Sequence, residues 1–76
     1  MIERVKSILS KYSKVPVKKM TMESRLMGDL GMSSFDLVNV IVAFEDEFDI
    51  QIEDNEIRTI QTIGDVVKKL QDKVKE

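Results

Sequence analysis

The chain is organised around residues 28–37, which read GDLGMSSFDL, and around the long helix predicted to follow them. The two glycines of this stretch permit backbone angles that other residues avoid, so a tight turn is expected before the serines. Ser33 suits the N-cap position of the helix, and Asp36 follows at the spacing of a capping box, with Asp in place of Glu or Gln. This register makes Ser34 the first helical residue and turns its hydroxyl towards solvent.

The start of this helix is a suitable place for a phosphoryl group. Unpaired backbone N–H groups and the positive end of the helix dipole favour anions at a helix N-terminus. A phosphoryl group on the Ser34 hydroxyl would gain about 0.3–1 kcal/mol from that field. Taken alone, the same residues also fit a plain loop followed by a helix cap, so the wider sequence has to decide between the two.

Four segments continue the pattern along the chain: DLGMSSFDLV (29–38), EDEF (45–48), IED (52–54) and TIGDVV (62–67). In order and spacing they resemble the acyl carrier protein family, whose pattern is Asp-Leu-Gly-x-Asp-Ser-Leu-Asp followed by a helix ending in acidic residues and Phe. The last two segments are similar to the entry of that family's third helix and the start of its fourth.

The resemblance implies a prosthetic group and a set of partners. Ser34 matches the serine that carries 4′-phosphopantetheine, which a phosphopantetheinyl transferase takes from coenzyme A, and the adjacent Ser33 is the alternative attachment residue. Acyl-transferring and acyl-modifying enzymes with basic patches would then dock on the second helix. The residues that match this docking surface are Asp36, Glu45, Asp46 and Glu47, with Asp54 extending it.

Four positions depart from the family's pattern. Ser33 stands where Asp is usual, Phe35 where Leu is usual, Asn39 where Glu is frequent, and Glu53 where Pro is common. Fatty-acid biosynthesis is the expected pathway, and a dedicated carrier for polyketide, specialised lipid or peptide synthesis is the alternative. A third interpretation is a non-acylated adaptor that binds a basic partner through its second helix.

The composition favours a carrier over an enzyme. The 76 residues predict one domain spanning 1–76, too small to enclose a deep active site. There is no Cys to hold a thioester and no His to act as a general base, so the thiol has to come from the prosthetic arm. No segment approaches the roughly 20 apolar residues of a membrane span, and the N-terminus has no signal-peptide core. We expect a monomeric, cytoplasmic protein without a metal site.

The charges are segregated although the formal net charge is only −2. Residues 1–25 hold seven basic and two acidic residues, whereas residues 26–57 hold nine acidic residues and no basic one. A surface of one sign attracts oppositely charged partners and repels the phosphates of nucleic acid. Nucleic-acid binding is therefore not expected.

Apolar periodicity predicts an all-α four-helix bundle, with three longer helices, one short helix and a long loop between helices 1 and 2. The predicted ranges are Ile2 to Tyr12, Ser34 to Phe48, Asp54 to Ile60 with Asp54 as cap, and a fourth helix after Thr62. The Thr62 hydroxyl can cap this last helix, with Asp65 at capping-box spacing. Residues 50–52 alternate like a strand but are interpreted as a connector, because a lone strand has no partner. The loop residues Met20, Met22 and Met27 are expected to fill the core, or alternatively to line an adaptable pocket.

The second helix is predicted to turn one side to the core and an acidic side to solvent. Its core stripe is Leu37, Ile41, Phe44 and Phe48, which repeat at helical spacing. Three further apolar residues, Val38, Val40 and Val42, are expected to flank this stripe.

Overall fold

The regular structure of residues 1–74, the part of the chain that the computed structural model describes, consists of a three-residue 3₁₀-helix (Val17–Lys19) and four α-helices. They are α1 (Ile2–Leu9), α2 (Ser34–Phe48), α3 (Asp54–Ile57) and α4 (Ile63–Lys73). No regular strand occurs in this range, and residues 50–52 form the predicted connector. The all-α prediction, with one short helix and a long first loop, is confirmed. The prediction of one domain over 1–76 runs two residues past the described part and stays a prediction.

A single hydrophobic core joins the helices. α1 packs against both α2 and α4, and the side chains of Leu9, Phe44 and Leu70 from these three helices are fully buried. The rings of Phe44 and Phe48 lie 6.4 Å apart between centroids and contact each other at a tilt. Because apolar burial is the main favourable term in folding, this cluster fixes how α2 is held and which of its sides remains open.

α1 ends before its apolar stripe does. The stripe predicts a helix as far as Tyr12, but α1 ends at Leu9 and residues 10–12 form a turn. In this turn the N–H of Tyr12 donates to the C=O of Leu9 at 3.0 Å, a tighter bond of the kind that often closes a helix. Tyr12 still packs against the core, so the stripe is correct although the helix is shorter than predicted.

The long connection between α1 and α2 is held by backbone hydrogen bonds to the start of α4. The N–H of Gly64 donates to the C=O of Met22 at 2.8 Å, and the N–H of Leu26 donates to the C=O of Gln61 at 2.9 Å. Met20 and Leu26 are buried in the core, whereas Met22 is about half exposed. The connection is therefore packed against the rest of the domain. The prediction that the loop methionines fill the core is confirmed for Met20 and wrong for Met22.

Capping boxes begin α2 and α4, as the sequence predicts. At α2 the N–H of Asp36 donates to Ser33 Oγ at 3.1 Å, and the N–H of Ser33 donates to Asp36 Oδ2 at 3.0 Å. Thr62 and Asp65 exchange the same two bonds at α4, both at 3.1 Å. Each box satisfies N–H groups that a helix start otherwise leaves unpaired, which fixes the residue at which the helix begins.

The short helix α3 is capped one residue earlier than predicted. Its N-cap is Glu53, whose N–H donates to Glu56 Oε2 at 2.8 Å. A capping box needs an acceptor three residues downstream, and Asp54 has the apolar Ile57 at that distance. The assignment of Asp54 as cap is therefore wrong. The helix also ends at Ile57, and a turn carries the chain to the buried Ile60.

Two of these capping carboxylates make stability depend on pH. Hydrogen bonds from the backbone N–H groups of Gln61 and Thr62 lower the pKa of Asp65 below its ordinary 3.8. The backbone N–H of Glu53, followed by Lys73, lowers the pKa of Glu56 below its ordinary 4.5. A carboxylate whose pKa is depressed by folding stabilises the protein above its unfolded pKa, and this contribution is lost as the pH falls through the folded value.

We expect the free energy of unfolding to fall as the pH drops below 4.5 and then 3.8, the ordinary values of Glu56 and Asp65. Asp65→Asn should lower it by about 0.3–1 kcal/mol at neutral pH, since the negative charge at the helix start is lost. At strongly acid pH the two proteins should be equally stable, because Asp65 is then protonated. Urea unfolding at both pH values checks this, and a loss that is the same at both would contradict it.

Candidate attachment site and docking helix

The loop before α2 makes its turn at Gly31. Gly31 has φ +72°, and a Cβ there would lie 2.9 Å from Lys14 Cδ, so a side chain would strain the backbone and would have to displace the Lys14 side chain. Hydrogen bonds hold the chain on both sides of Gly31. Before it, Asp29 Oδ2 accepts the N–H of Arg25 at 2.7 Å and the C=O of Leu30 accepts the N–H of Lys14 at 2.8 Å; after it, the N–H of Met32 donates to the C=O of Leu26 at 3.2 Å. The serines that follow therefore start from a fixed backbone.

The hydroxyls of Ser33 and Ser34 have different partners. Ser33 Oγ accepts the N–H of Asp36 and so is part of the cap of α2. Ser34 is the first residue of α2 and is exposed, and within residues 1–74 its hydroxyl makes no hydrogen bond. Modification of Ser33 would break the cap, whereas modification of Ser34 would leave it intact.

The acidic residues predicted for docking do not form one continuous face. Successive residues of a helix are about 100° apart around its axis, so Glu45 and Glu47 lie on opposite edges of α2 with Asp46 between them. Glu45 is half-buried, and its Oε2 accepts the N–H of Ile52 at 2.8 Å, which fastens the connector to α2. Asp36 is half-buried in the cap of α2.

Glu47 is paired with Arg4 across the fold. Arg4 Nη2 lies 2.7 Å from Glu47 Oε2 and also donates to the C=O of Glu47 at 3.2 Å. The guanidinium carbon lies 4.4 Å from the centroid of the Phe48 ring. Since α2 has no basic residue in its last turn, Arg4 supplies the positive charge that a helix C-terminus favours. The charge of Glu47 is thereby partly neutralised before any partner approaches.

Asp46 and Asp54 present their charges to solvent. Both side chains are exposed, and neither makes an ion pair or a hydrogen bond within the described residues. Of the five predicted docking residues, these two therefore contribute the most accessible negative charge.

Three apolar side chains lie on the exposed side of α2. Phe35 is 77% exposed, Val38 55% and Val42 50%, and we call these three residues the exposed apolar strip. Val40 is fully buried, so the prediction that all three valines flank the core is wrong for Val38 and Val42. The sequence does contain a signal for this strip, because Phe35, Val38 and Val42 recur at i, i+3 and i+7 and so form a second helical stripe. Adjacent apolar residues left open on a small protein are typical of an interaction surface.

A cavity of about 320 Å³ opens beside the first turns of α2. Met27 is 49% exposed and belongs to the lining of this cavity. Of the two alternatives predicted for this methionine, the pocket position therefore fits the structure, and the prediction that it fills the core is wrong. The rest of the lining combines apolar and polar side chains: Leu26, Leu37 and Ile60 with Arg25 and Gln61.

Residues 1–74 contain neither a metal-binding cluster nor a membrane-spanning helix. No three His, Cys, Asp or Glu side chains converge there to hold a metal ion. No helix in that range has the length and apolar character needed to cross a bilayer.

Comparison with known proteins identifies the class. Residues 3–70 match the family model described as a phosphopantetheine attachment site. With the helical fold described above, this match shows that the chain belongs to the family of phosphopantetheine-binding carrier domains. The chain is similar to the protein named "Acyl carrier protein" from Phenylobacterium zucineum (strain HLK1), with 39% identity over 74 residues that cover 97% of this chain and 94% of that protein. The predicted family and its prosthetic group, 4′-phosphopantetheine, are confirmed.

Proposed function

We propose that the protein carries acyl groups as thioesters on a 4′-phosphopantetheine arm attached to Ser34 and presents them to partner enzymes. The observation that carries this proposal is the exposed Ser34 hydroxyl, without a hydrogen bond in the described residues, beside a Ser33 whose hydroxyl is used in the helix cap. When bound, the arm supplies the thiol that this Cys-free chain lacks.

The start of α2 suits the phosphate of such an arm. Ser34 lies at the helix N-terminus, where N–H groups and the helix dipole favour an anion. Incubation with coenzyme A and a phosphopantetheinyl transferase should add the mass of one arm. A folded protein that gains nothing from several transferases would support the adaptor interpretation instead.

The chain itself supplies little for catalysis. It has no His and no Cys, and its half-buried carboxylates Asp36, Glu45, Glu56 and Asp65 are occupied as hydrogen-bond acceptors at helix ends and in the connector. We therefore propose that it is not an enzyme and that reactions on the acyl group belong to its partners.

We propose further that it acts as a monomer in the cytoplasm, which light scattering and cell fractionation would test.

Fatty-acid biosynthesis is the pathway that we propose. Its support is the likeness to a protein named simply an acyl carrier protein, together with the acidic end of α2. Phe35 and Asn39 on the exposed side of α2 depart from the family's pattern and favour the alternative, a dedicated carrier for polyketide, specialised lipid or peptide synthesis. Charging of the loaded protein by the malonyl transferase of fatty-acid synthesis separates the two, since a dedicated carrier should be charged poorly.

We propose that partners dock over the exposed side of α2. The exposed apolar strip supplies contact area, and the surrounding acidic residues steer basic patches towards Ser34. These acidic residues are Asp36, Glu45, Asp46, Glu47 and Asp54. Because Glu47 is paired with Arg4 and Glu45 bonds to the connector, most of the steering should come from Asp46 and Asp54.

Asp46→Asn should slow arm addition by the transferase about two- to fivefold at low ionic strength, because one steering charge is lost. The difference should fade at high salt, where charges beyond roughly 8–10 Å are screened. Asp72→Asn is the matched control, since Asp72 is also exposed but lies on α4. Initial rates across a salt series check this prediction. Rates of wild type that stay flat with salt, or equal slowing by both variants, would contradict electrostatic steering by α2.

A further inference from the structure

We propose that the cavity beside α2 selects an acyl chain that ends in a carboxylate, and that Arg25 is the residue that recognises this group. The inference rests on the proposed function, because the chain has to arrive on an arm attached to Ser34. It goes beyond that function by naming the chemical class of the cargo and the side chain that determines it. Such a cargo fits the dedicated carrier, the alternative given above, better than the methyl-ended growing chains of fatty-acid biosynthesis.

Hydrogen bonds fix the main chain of Arg25. Its N–H donates to Asp29 Oδ2 at 2.7 Å, and its C=O accepts from the N–H groups of Asp29 and Leu30 at 2.9 and 3.0 Å. The next residue, Leu26, donates to the C=O of Gln61 on the other side of the cavity rim. The point from which the Arg25 side chain departs is therefore fixed relative to the cavity.

The stem of Arg25 runs along the cavity rim. Its Cβ and Cδ each lie 3.7 Å from the point where a Cβ on Gly28 would stand, so the aliphatic part passes over that glycine. Arg25, Gly28 and Gln61 all line the cavity.

The guanidinium of Arg25 has no acidic partner within residues 1–74. The ion pairs of this range join Arg4 to Glu47, and Lys69 and Lys73 to Glu56. The carboxylate of Asp29, four residues from Arg25, accepts its main-chain N–H. Two parallel N–H groups of a guanidinium match the two oxygens of a carboxylate, and the amide of Gln61 offers further donors beside them.

The remaining wall of the cavity is apolar and close to Ser34. Leu26, Leu37 and Ile60 line it, and Leu37 lies only about 4.5 Å along the axis of α2 from Ser34. A volume of about 320 Å³ is at the small end for ligand pockets, which suits a short chain. A methyl-ended chain would be complementary to the apolar wall alone, whereas a chain ending in a carboxylate is complementary to both the apolar wall and Arg25.

The test compares three loaded forms of the full chain: the free-thiol arm, a hexanoyl arm and an adipoyl arm labelled with carbon-13 at its terminal carboxylate. NMR titration of the label should give a carboxylate pKa lower than in free adipoyl-pantetheine, because a guanidinium favours the ionised form. The pKa of this carboxylate is expected to fall by up to about 0.7 unit, which corresponds to roughly fivefold tighter binding of the ionised group than of the protonated group. Arg25→Gln should remove most of this shift, and Arg25→Lys should keep part of it.

Arg58→Gln is the matched control, since Arg58 is exposed at the end of α3 and is not part of the cavity lining. The Arg25 Nε–H resonance should move in the adipoyl form only. Movement of this resonance in all three forms would mean that Arg25 binds the arm's phosphate, and that result overturns the proposal. An adipoyl pKa that equals the free value, or is unchanged in Arg25→Gln, also overturns it. A protein that accepts no arm refutes the proposed function, whereas a loaded protein with an unshifted pKa refutes only this inference.

Discussion

Ser34→Ala is expected to abolish addition of the phosphopantetheine arm, and Ser33→Ala is expected to retain it. The first change removes a hydroxyl that has no hydrogen-bond partner in residues 1–74, so the fold should keep its stability. The second removes the cap of α2, which should lower the free energy of unfolding by about 0.5–2 kcal/mol. Intact mass after incubation with coenzyme A and a transferase measures attachment in both variants and in wild type.

Thermal melting followed by circular dichroism separates loss of the attachment residue from loss of the fold. Ser34→Ala should melt like wild type while gaining no mass. Ser33→Ala should melt at a lower temperature and still gain one arm below its melting transition. Loss of modification in a folded Ser33→Ala, with normal modification of Ser34→Ala, would move the attachment site by one residue.

Phe44→Ala should remove most of the free energy of unfolding of the protein. The Phe44 side chain is fully buried and contacts Phe48, so truncation loses both apolar burial and packing, at a cost of about 3–5 kcal/mol. Domains are stable by only about 5–15 kcal/mol, and one of 76 residues should lie at the low end of that range. Urea unfolding followed by circular dichroism measures the loss.

Val42→Ala is the control for Phe44→Ala on the same helix. Val42 belongs to the exposed apolar strip and is half exposed, so its truncation should change the free energy of unfolding by no more than about 0.5 kcal/mol. A cost for Val42→Ala as large as that for Phe44→Ala would mean that the buried side of α2 is assigned incorrectly.

The parts of the fold that sequence patterns predict are those encoded within one helical turn or one helical stripe. The box of Ser33 and Asp36 sets the start of α2, and the spacing of Phe44 and Phe48 sets its core side. The cap of α3 obeys the same local rule, since Glu56 stands three residues after Glu53, so the rule would have indicated Glu53 as the cap in place of Asp54. Such signals need no knowledge of the rest of the fold.

The remaining features depend on residues distant in sequence. Arg4 and Glu47 are 43 positions apart, and nothing around either residue indicates their ion pair. The same holds for the backbone bond from Leu26 to Gln61, which forms one edge of the cavity. Contacts of this kind follow from how the helices and loops pack, which local periodicity does not specify.

The predicted docking residues show the limit of counting charges and apolar residues. The acidic composition of α2 is plain in the sequence, but Glu47 and Glu45 are engaged by Arg4 and Ile52, so counting overstates the accessible charge. Val38 and Val40 are identical in type, and only packing decides that Val40 is buried while Val38 is open. The register that puts Ser34 first in α2, in contrast, follows from the capping box alone.

The most direct test of the carrier function is tandem mass spectrometry of the wild-type protein after incubation with acetyl coenzyme A and a broad-specificity transferase. We predict one acetyl-phosphopantetheine group on Ser34, from which hydroxylamine releases the acetyl group and leaves the arm. A folded protein that gains no mass, or one that carries the group on Ser33, would contradict this prediction.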